Sequence, residues 1–318
     1  MDMKIDGFIK EIKNNHKGRL YIQPHDYPDY DALGSAYALK EFLKIYEINS
    51  EIIYAGYLSN FIIDEFVKKI GINPIRLKDV ENNSIPVISV DTIPTNNNIT
   101  LIKNEYIGFI DHHINNEKKA NFYFEDFRKA GAVSSIITEY YKNKKENISE
   151  CIANALAIGL LTDTNSLSRG VSKKDLLNYY YLFTRMDHDY VNYIVRNKIA
   201  IDDLNLYVRA INSLNIFKNI GLVVLNEVEN RNILGIVGDF FLSINEISVN
   251  ILVNRTSKGS YISVRSEEPN MKANNVVDHI IKDKGDGGGH FYMAGGFTEM
   301  VLEEKYLFNI INKELLQK

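Results

Sequence analysis

His25, Asp29 and Asp31 lie within a seven-residue window of the run HDYPDYDALGS (25–35). Two carboxylates and an imidazole this close together can hold a cation. Pro28 stiffens the turn between them, and Gly34 and Ser35 let a backbone or a phosphate approach the start of the helix expected to follow. Three more segments carry similar groups: Ser89-Val90-Asp91, Asp111-His112-His113 and Leu161-Thr162-Asp163-Thr164. Carboxylate oxygens suit hard divalent ions, and imidazole suits transition metals. An Asp/His set without cysteine therefore points to two Mn²⁺ ions rather than structural zinc. If Asp29, Asp31, Asp91 and Asp163 met at one place, each pair about 4 Å apart would repel by roughly 4 kcal/mol at an effective dielectric near 20. Two divalent ions would balance the four charges. Each segment alone has an ordinary reading, because Asp after a strand is a common cap or turn residue. The joint pattern, four such elements in order, carries the metal-site reading.

A second group lies near the end of the chain. Gly287, Gly288, Gly289 and His290 form a glycine run closed by an imidazole. Such a run is either a plain flexible loop or a cradle whose bare N–H groups hold a phosphate, with His290 adding a hydrogen bond or charge. Arg265 and Ser266, at the end of an expected strand in the same half, fit a phosphate clamp. His16, His188 and His279 have no companion ligands and read as surface residues. Cys151 lies on an apolar helical pattern and reads as core.

The elements that position these groups follow from periodicity. Arg19 to Gln23, Glu51 to Gly56, Ile85 to Val90 and Tyr106 to Ile110 read as strands. Asp31 to Tyr46, Asn60 to Ile70, Ala132 to Tyr141 and Ser149 to Leu161 read as helices. Alternation of the two implies an α/β domain with a mainly parallel sheet. His25, Asp91 and Asp111 then each follow a strand, at the carboxyl edge where ligands bind in open α/β sheets. Ser172 to Ile211 reads as helices. Beyond it, Gly221 to Glu227, Ile233 to Val237, Ser248 to Val253, Ser260 to Val264 and Phe297 to Leu302 read as strands, with Lys272 to Lys282 helical. The expected division is a catalytic metal-binding domain over 1–186, a helical connector over 187–215 and a smaller mixed α/β domain over 216–318.

Composition sets limits. The 318 residues are 45% hydrophobic and 25% charged, ordinary for a globular chain with two cores. A net charge of -4 argues against coating a long duplex nucleic acid. The single cysteine excludes an internal disulfide. No apolar run reaches the roughly 18 residues of a membrane span, and Met1 to Leu20 does not have the pattern of a signal peptide. The expectation is a cytoplasmic protein with no membrane partner.

Taken in order, these five elements resemble the DHH phosphoesterase family with its C-terminal DHHA1 domain, over nearly the whole chain. Within it the chain is most similar to the short members that degrade very short oligoribonucleotides (nanoRNases). Some of those also act as 3′-phosphoadenosine 5′-phosphate phosphatases. The resemblance implies a DHH domain followed by a DHHA1 domain. It implies one metal on His25, Asp29 and Asp91, and a second on Asp31, Asp91, His112 and Asp163, with Asp91 bridging. Asp111 would support the histidines from behind, and His113 would face the substrate phosphate. Arg265, Ser266, Gly287, Gly288, Gly289 and His290 would bind the rest of a short oligonucleotide or dinucleotide. A pyrophosphatase or polyphosphatase, and a non-catalytic nucleotide-binding regulator, are the alternative functions. The oligomeric state is left open, a homodimer included.

Overall fold

The computed structural model describes residues 2–56, 58, 61–80, 84–113, 121–197, 199–228, 232–282, 284–289 and 291–315. The chain divides into two compact units, Met1–Asn197 and Lys198–Lys318. The stretch expected as a connector is split, with 187–197 in the first unit and 198–215 in the second.

The first unit runs α1 (Asp2–Asn15), β1 (Arg19–Pro24), α2 (Tyr30–Ile45), β2 (Asn49–Tyr54), α3 (Phe61–Ile70), β3 (Ile75–Arg76), β4 (Val87–Val90), β5 (Tyr106–Asp111), β6 (Phe124–Phe127), α4 (Val133–Lys144), α5 (Glu150–Asp163), α6 (Lys173–Phe183) and α7 (His188–Arg196). Its strands form one parallel sheet in the order β3-β2-β1-β4-β5-β6. Strand alternation sorts the side chains. Leu20, Ile22, Ile88 and Val90 join the large core shared with α1, α2, α4 and α5, while Tyr21, Ile53 and Val87 line a smaller cluster with Ile85. The chain leaves β1 in one direction through β2 and β3, then returns to place β4 on β1's other side. That reversal is the topological switch point, where ligands bind in open α/β sheets.

Helices α2 and α5 cross closely. A Cβ on Gly34 would stand 2.6 Å from the Ala155 carbonyl oxygen, and one on Gly159 would stand 2.8 Å from Asp31 Oδ1 and 2.9 Å from Asp31 Cα. Only glycine at both positions lets the helices approach this far.

The second unit contains α8 (Leu204–Asn212), β7 (Leu214–Phe217), β8 (Ile220–Asn226), α9 (Asn232–Leu242), β9 (Val249–Thr256), β10 (Gly259–Ser266), α10 (Ala273–Ile281), β11 (Gly285–Gly289), β12 (Met293–Thr298) and α11 (Glu304–Ile310). Its mixed sheet is ordered β11-β12-β10-β9-β8-β7, with only β8 and β9 parallel. The α/β class and the smaller mixed second domain are as expected.

The expectations for Ile233 to Val237 and for Cys151 fail in detail, and the loop reading of the glycine run, one of two left open, falls away. Ile233 to Val237 belongs to α9 and is not a strand, because Ile233, Leu234, Val237 and Phe241 are buried at helical spacing. The glycine run is not a loop but edge strand β11, paired with β12. Its Gly287 packs under α10, where a Cβ would stand 2.6 Å from Val277. Cys151 is exposed, on the outer side of α5. Among the described residues no helix is long and apolar enough to cross a membrane.

Candidate metal centre

Strand ends, helix ends and one loop bring the Asp/His set together in the first unit. Asp91 follows β4 and sits in the left-handed region (φ +61°), which Asp tolerates better than most residues. It is 2% exposed and lies at the middle of the set. Its Oδ2 is 3.5 Å from His25 Nε2, and its Oδ1 is 3.4 Å from His112 Nε2 and 3.5 Å from His113 Nδ1. His112 Nε2 is also 3.2 Å from Asp163 Oδ2, and His25 Nε2 is 4.0 Å from Asp29 Oδ2.

The main chain sets the tautomers. His25 Nδ1 lies 2.8 Å from the Asp26 carbonyl and His112 Nδ1 lies 3.1 Å from the Ala130 carbonyl. A carbonyl only accepts, so each Nδ1 donates, and the Nε2 lone pair of the neutral ring faces the carboxylates. This is how metal-ligating histidines are held. His113 differs. Its Nδ1 is bonded to Asp111 Oδ1 at 2.6 Å, and its side chain is a quarter exposed. Asp111 is fully buried, and the same oxygen accepts from the His112 and His113 backbone N–H groups. It therefore fixes the histidines from behind.

Asp31 has a role that the sequence does not announce. It is fully buried, and its two oxygens accept from Val133 N (2.7 Å) and Ser134 N (2.9 Å), capping α4. Asp29 caps α2 by accepting from Ala32 N at 3.1 Å. Asp163 is the last residue of α5, at the end of the helix dipole that favours cations. A left-handed turn at Asn165, Ser166 and Leu167 stops that helix at once.

Electrostatic strain is concentrated here. Burial, reinforced by the charges of Asp91 and Asp163, pushes the Asp31 carboxyl up to about 8. Burial alone would lower His25, but hydrogen bonding and charge from Asp91, with Asp29, raise it to about 10. His112 is likewise raised against its burial by Asp163 and Asp91. Burial would raise Asp91, but His112, His113 and His25 hold it well below the carboxylate range.

The residues fit divalent cations. Ligand atoms of His25, Asp29 and Asp91 lie within 4.8 Å of one another, as do those of Asp31, His112 and Asp163, and those of Asp91, His112 and His113. Among the described residues nothing donates a hydrogen bond to the buried Asp91 Oδ1, as suits an oxygen kept for a cation. The sequence could not point to Asp26, Ala130, Val133 or Ser134, because they act through main-chain atoms that every residue has.

In the second unit, Arg265 lies against α9. Its Nε donates to Asp239 Oδ1 (3.1 Å) and its Nη1 to the Val264 carbonyl (3.2 Å). Gly235 admits it, since a Cβ there would stand 2.3 Å from Nη2. Ser266 departs from the expected substrate contact. It is fully buried, and its hydroxyl donates to the Met271 carbonyl (2.6 Å) and accepts from Glu268 N (3.1 Å), so it holds a turn. Gly287 and Gly288 are exposed on β11 and Gly289 is half-buried; His290 lies outside the described residues.

Residues 19–160 match the DHH family, N-terminal domain. A cyclic-di-AMP phosphodiesterase, GdpP, of Geobacillus thermodenitrificans is 23% identical over 87% of this chain and 44% of its own. A probable manganese-dependent inorganic pyrophosphatase of Streptococcus thermophilus is 27% identical over 46% of this chain and 48% of its own. The chain thus spans about half the length of these curated relatives. Among solved structures, an exopolyphosphatase-related protein from Bacteroides fragilis shares the fold, with a TM-score of 0.76 at 19% identity over 100% of this chain and 98% of that one.

Proposed function

This chain belongs to the DHH family through residues 19–160, and on that premise we propose that it is a two-metal phosphodiesterase. Its proposed substrates are short oligonucleotides or dinucleotides, cut to mononucleotides as an oligoribonuclease does. The observation that carries the reading is the pair of ligand groups meeting around Asp91. His25, Asp29 and Asp91 would hold one ion, and Asp31, Asp91, His112 and Asp163 the other. Oxygen-rich sets of this kind favour Mn²⁺. Bound divalent ions supply Lewis acidity to phosphoryl oxygens and acidify water.

The chain's own groups do the rest. The Ala130 and Asp26 carbonyls keep the His112 and His25 lone pairs on the ion side. Asp111 pins His113 through Nδ1, so Nε2 is the atom that would meet a phosphoryl oxygen or pass a proton to the leaving group. Arg265 and the glycines 287, 288 and 289 are assigned, with His290, to the remainder of the substrate.

Extent of likeness favours a nucleotide over pyrophosphate. The pyrophosphatase relative matches less than half of this chain. The match to the cyclic-di-AMP phosphodiesterase covers 87%, which must include both units. The test is a Mn²⁺ assay on a 5′-phosphorylated diribonucleotide, a pentamer, a cyclic dinucleotide, 3′-phosphoadenosine 5′-phosphate and pyrophosphate. The dinucleotide should turn over fastest. Turnover of pyrophosphate alone, or none with Mn²⁺ bound, would sink the proposal.

A further inference from the structure

Tyr27 stands two positions from both His25 and Asp29. Its Cα is therefore within roughly 7 Å of the Cα of each. Its backbone is left-handed (φ +56°), which for a bulky side chain is a genuine outlier. Burial does not offset that strain, since the side chain remains 43% exposed. Two neighbours enforce the position. Tyr27 N donates to the Ala55 carbonyl at 3.2 Å, tying the loop to the end of β2. Gly56, itself left-handed (φ +80°), gives the ring its seat: a Cβ there would stand 2.8 Å from Tyr27 Cδ1 and 2.9 Å from Cγ. An exposed aromatic ring is thus held in a costly backbone conformation at the carboxyl edge of the sheet. It flanks the Asp/His set on the β2 side. Strain of this kind, kept by the surroundings, collects at ligand-binding positions.

We propose that the Tyr27 ring is the stacking surface for the nucleobase whose phosphate is held by the Asp/His set. The inference rests on the phosphodiesterase reading and adds its base-recognition residue. A ring face accepts any base, so selectivity here is for having a base over having none.

The test is calorimetric binding of AMP and of ribose 5-phosphate to the Mn²⁺-loaded protein. Wild type should prefer AMP by roughly ten-fold, within the range for one base on one aromatic ring. Tyr27→Phe should keep that preference. Tyr27→Ala should lose it, with ribose 5-phosphate and Mn²⁺ binding little changed. A preference that survives in Tyr27→Ala, equal weakening of both ligands, or no preference in wild type overturns the assignment. Dinucleotide turnover is read separately. A wild type that prefers AMP through Tyr27 yet cleaves no dinucleotide overturns the phosphodiesterase reading and leaves the stacking role standing.

Discussion

Asp31 caps a helix from within the proposed metal centre. A carboxylate has about four lone-pair sites, and three of those on Asp31 are taken by Val133 N, Ser134 N and the Ser35 hydroxyl. Asp31→Ala should therefore lose activity and stability together. Two buried N–H groups left unsatisfied cost about 1–3 kcal/mol each. Chemical denaturation of the chelated variant should show a loss of this size, and a wild-type midpoint would mean that the cap contributes nothing. His113 should behave differently, because its Nδ1 is occupied by Asp111. His113→Ala should lower kcat by roughly a hundred-fold, the scale of general acid–base catalysis, while Mn²⁺ still binds. Loss of one Mn²⁺ equivalent in that variant would make His113 a ligand instead.

The crossing of α2 and α5 joins packing to the centre. Gly34 and Gly159 both make the approach possible, but only Gly159 faces Asp31, with a would-be Cβ 2.8 Å from Asp31 Oδ1. Gly34→Ala and Gly159→Ala should each destabilise by about 1–3 kcal/mol through overpacking. Only Gly159→Ala should also weaken Mn²⁺ binding, and equal Mn²⁺ affinity in the two variants would refute the distinction. Such contacts mark where sequence reading stops. The parallel sheet was legible because IPVISV and YIGFI are short apolar runs alternating with helical periodicity, and Asp91 and Asp111 could be assigned to strand ends on that basis. NILGIVGDFFL was not legible as a helix from its start, since a short apolar run fits strand and helix alike and only burial of Phe241 with Val237 decides. The glycines of β11 look like a loop until pairing with β12 is known. Cys151 misleads for a related reason: α5 is apolar nearly all round, so its outward positions cannot be read from periodicity.

For the molecule as a whole, the crowded titrating groups tie stability to pH. His25 is raised to about 10 in the folded protein, so its contribution is fully present below its unfolded value of about 6.5 and is lost as pH rises through 10. Asp31, raised to about 8, has the same sign, favouring the folded state while protonated and losing that advantage through pH 8. The chelated protein should therefore become less stable between pH 6 and 9. Mn²⁺ needs these ligands deprotonated, so its stabilisation should grow over the same interval. At a thousand times Kd one ion adds about 4 kcal/mol, a rise of roughly 8 °C or more in Tm. A Mn²⁺ shift that shrinks from pH 6 to pH 9 would contradict the assignment. The strand order has a kinetic consequence as well. Tyr21 pairs with Val87 across the reversal in the sheet, and the proposed ligands run from His25 to Asp163. None of the ligand groups is complete within one local segment, so little of the centre can exist before these distant strands dock. Long-range parallel pairing of this kind forms slowly. Mn²⁺ should consequently leave the refolding rate of the first unit nearly unchanged and slow its unfolding, as expected of contacts absent from the transition state. A bound ion would then act as a latch on a finished fold that the chain reaches unaided.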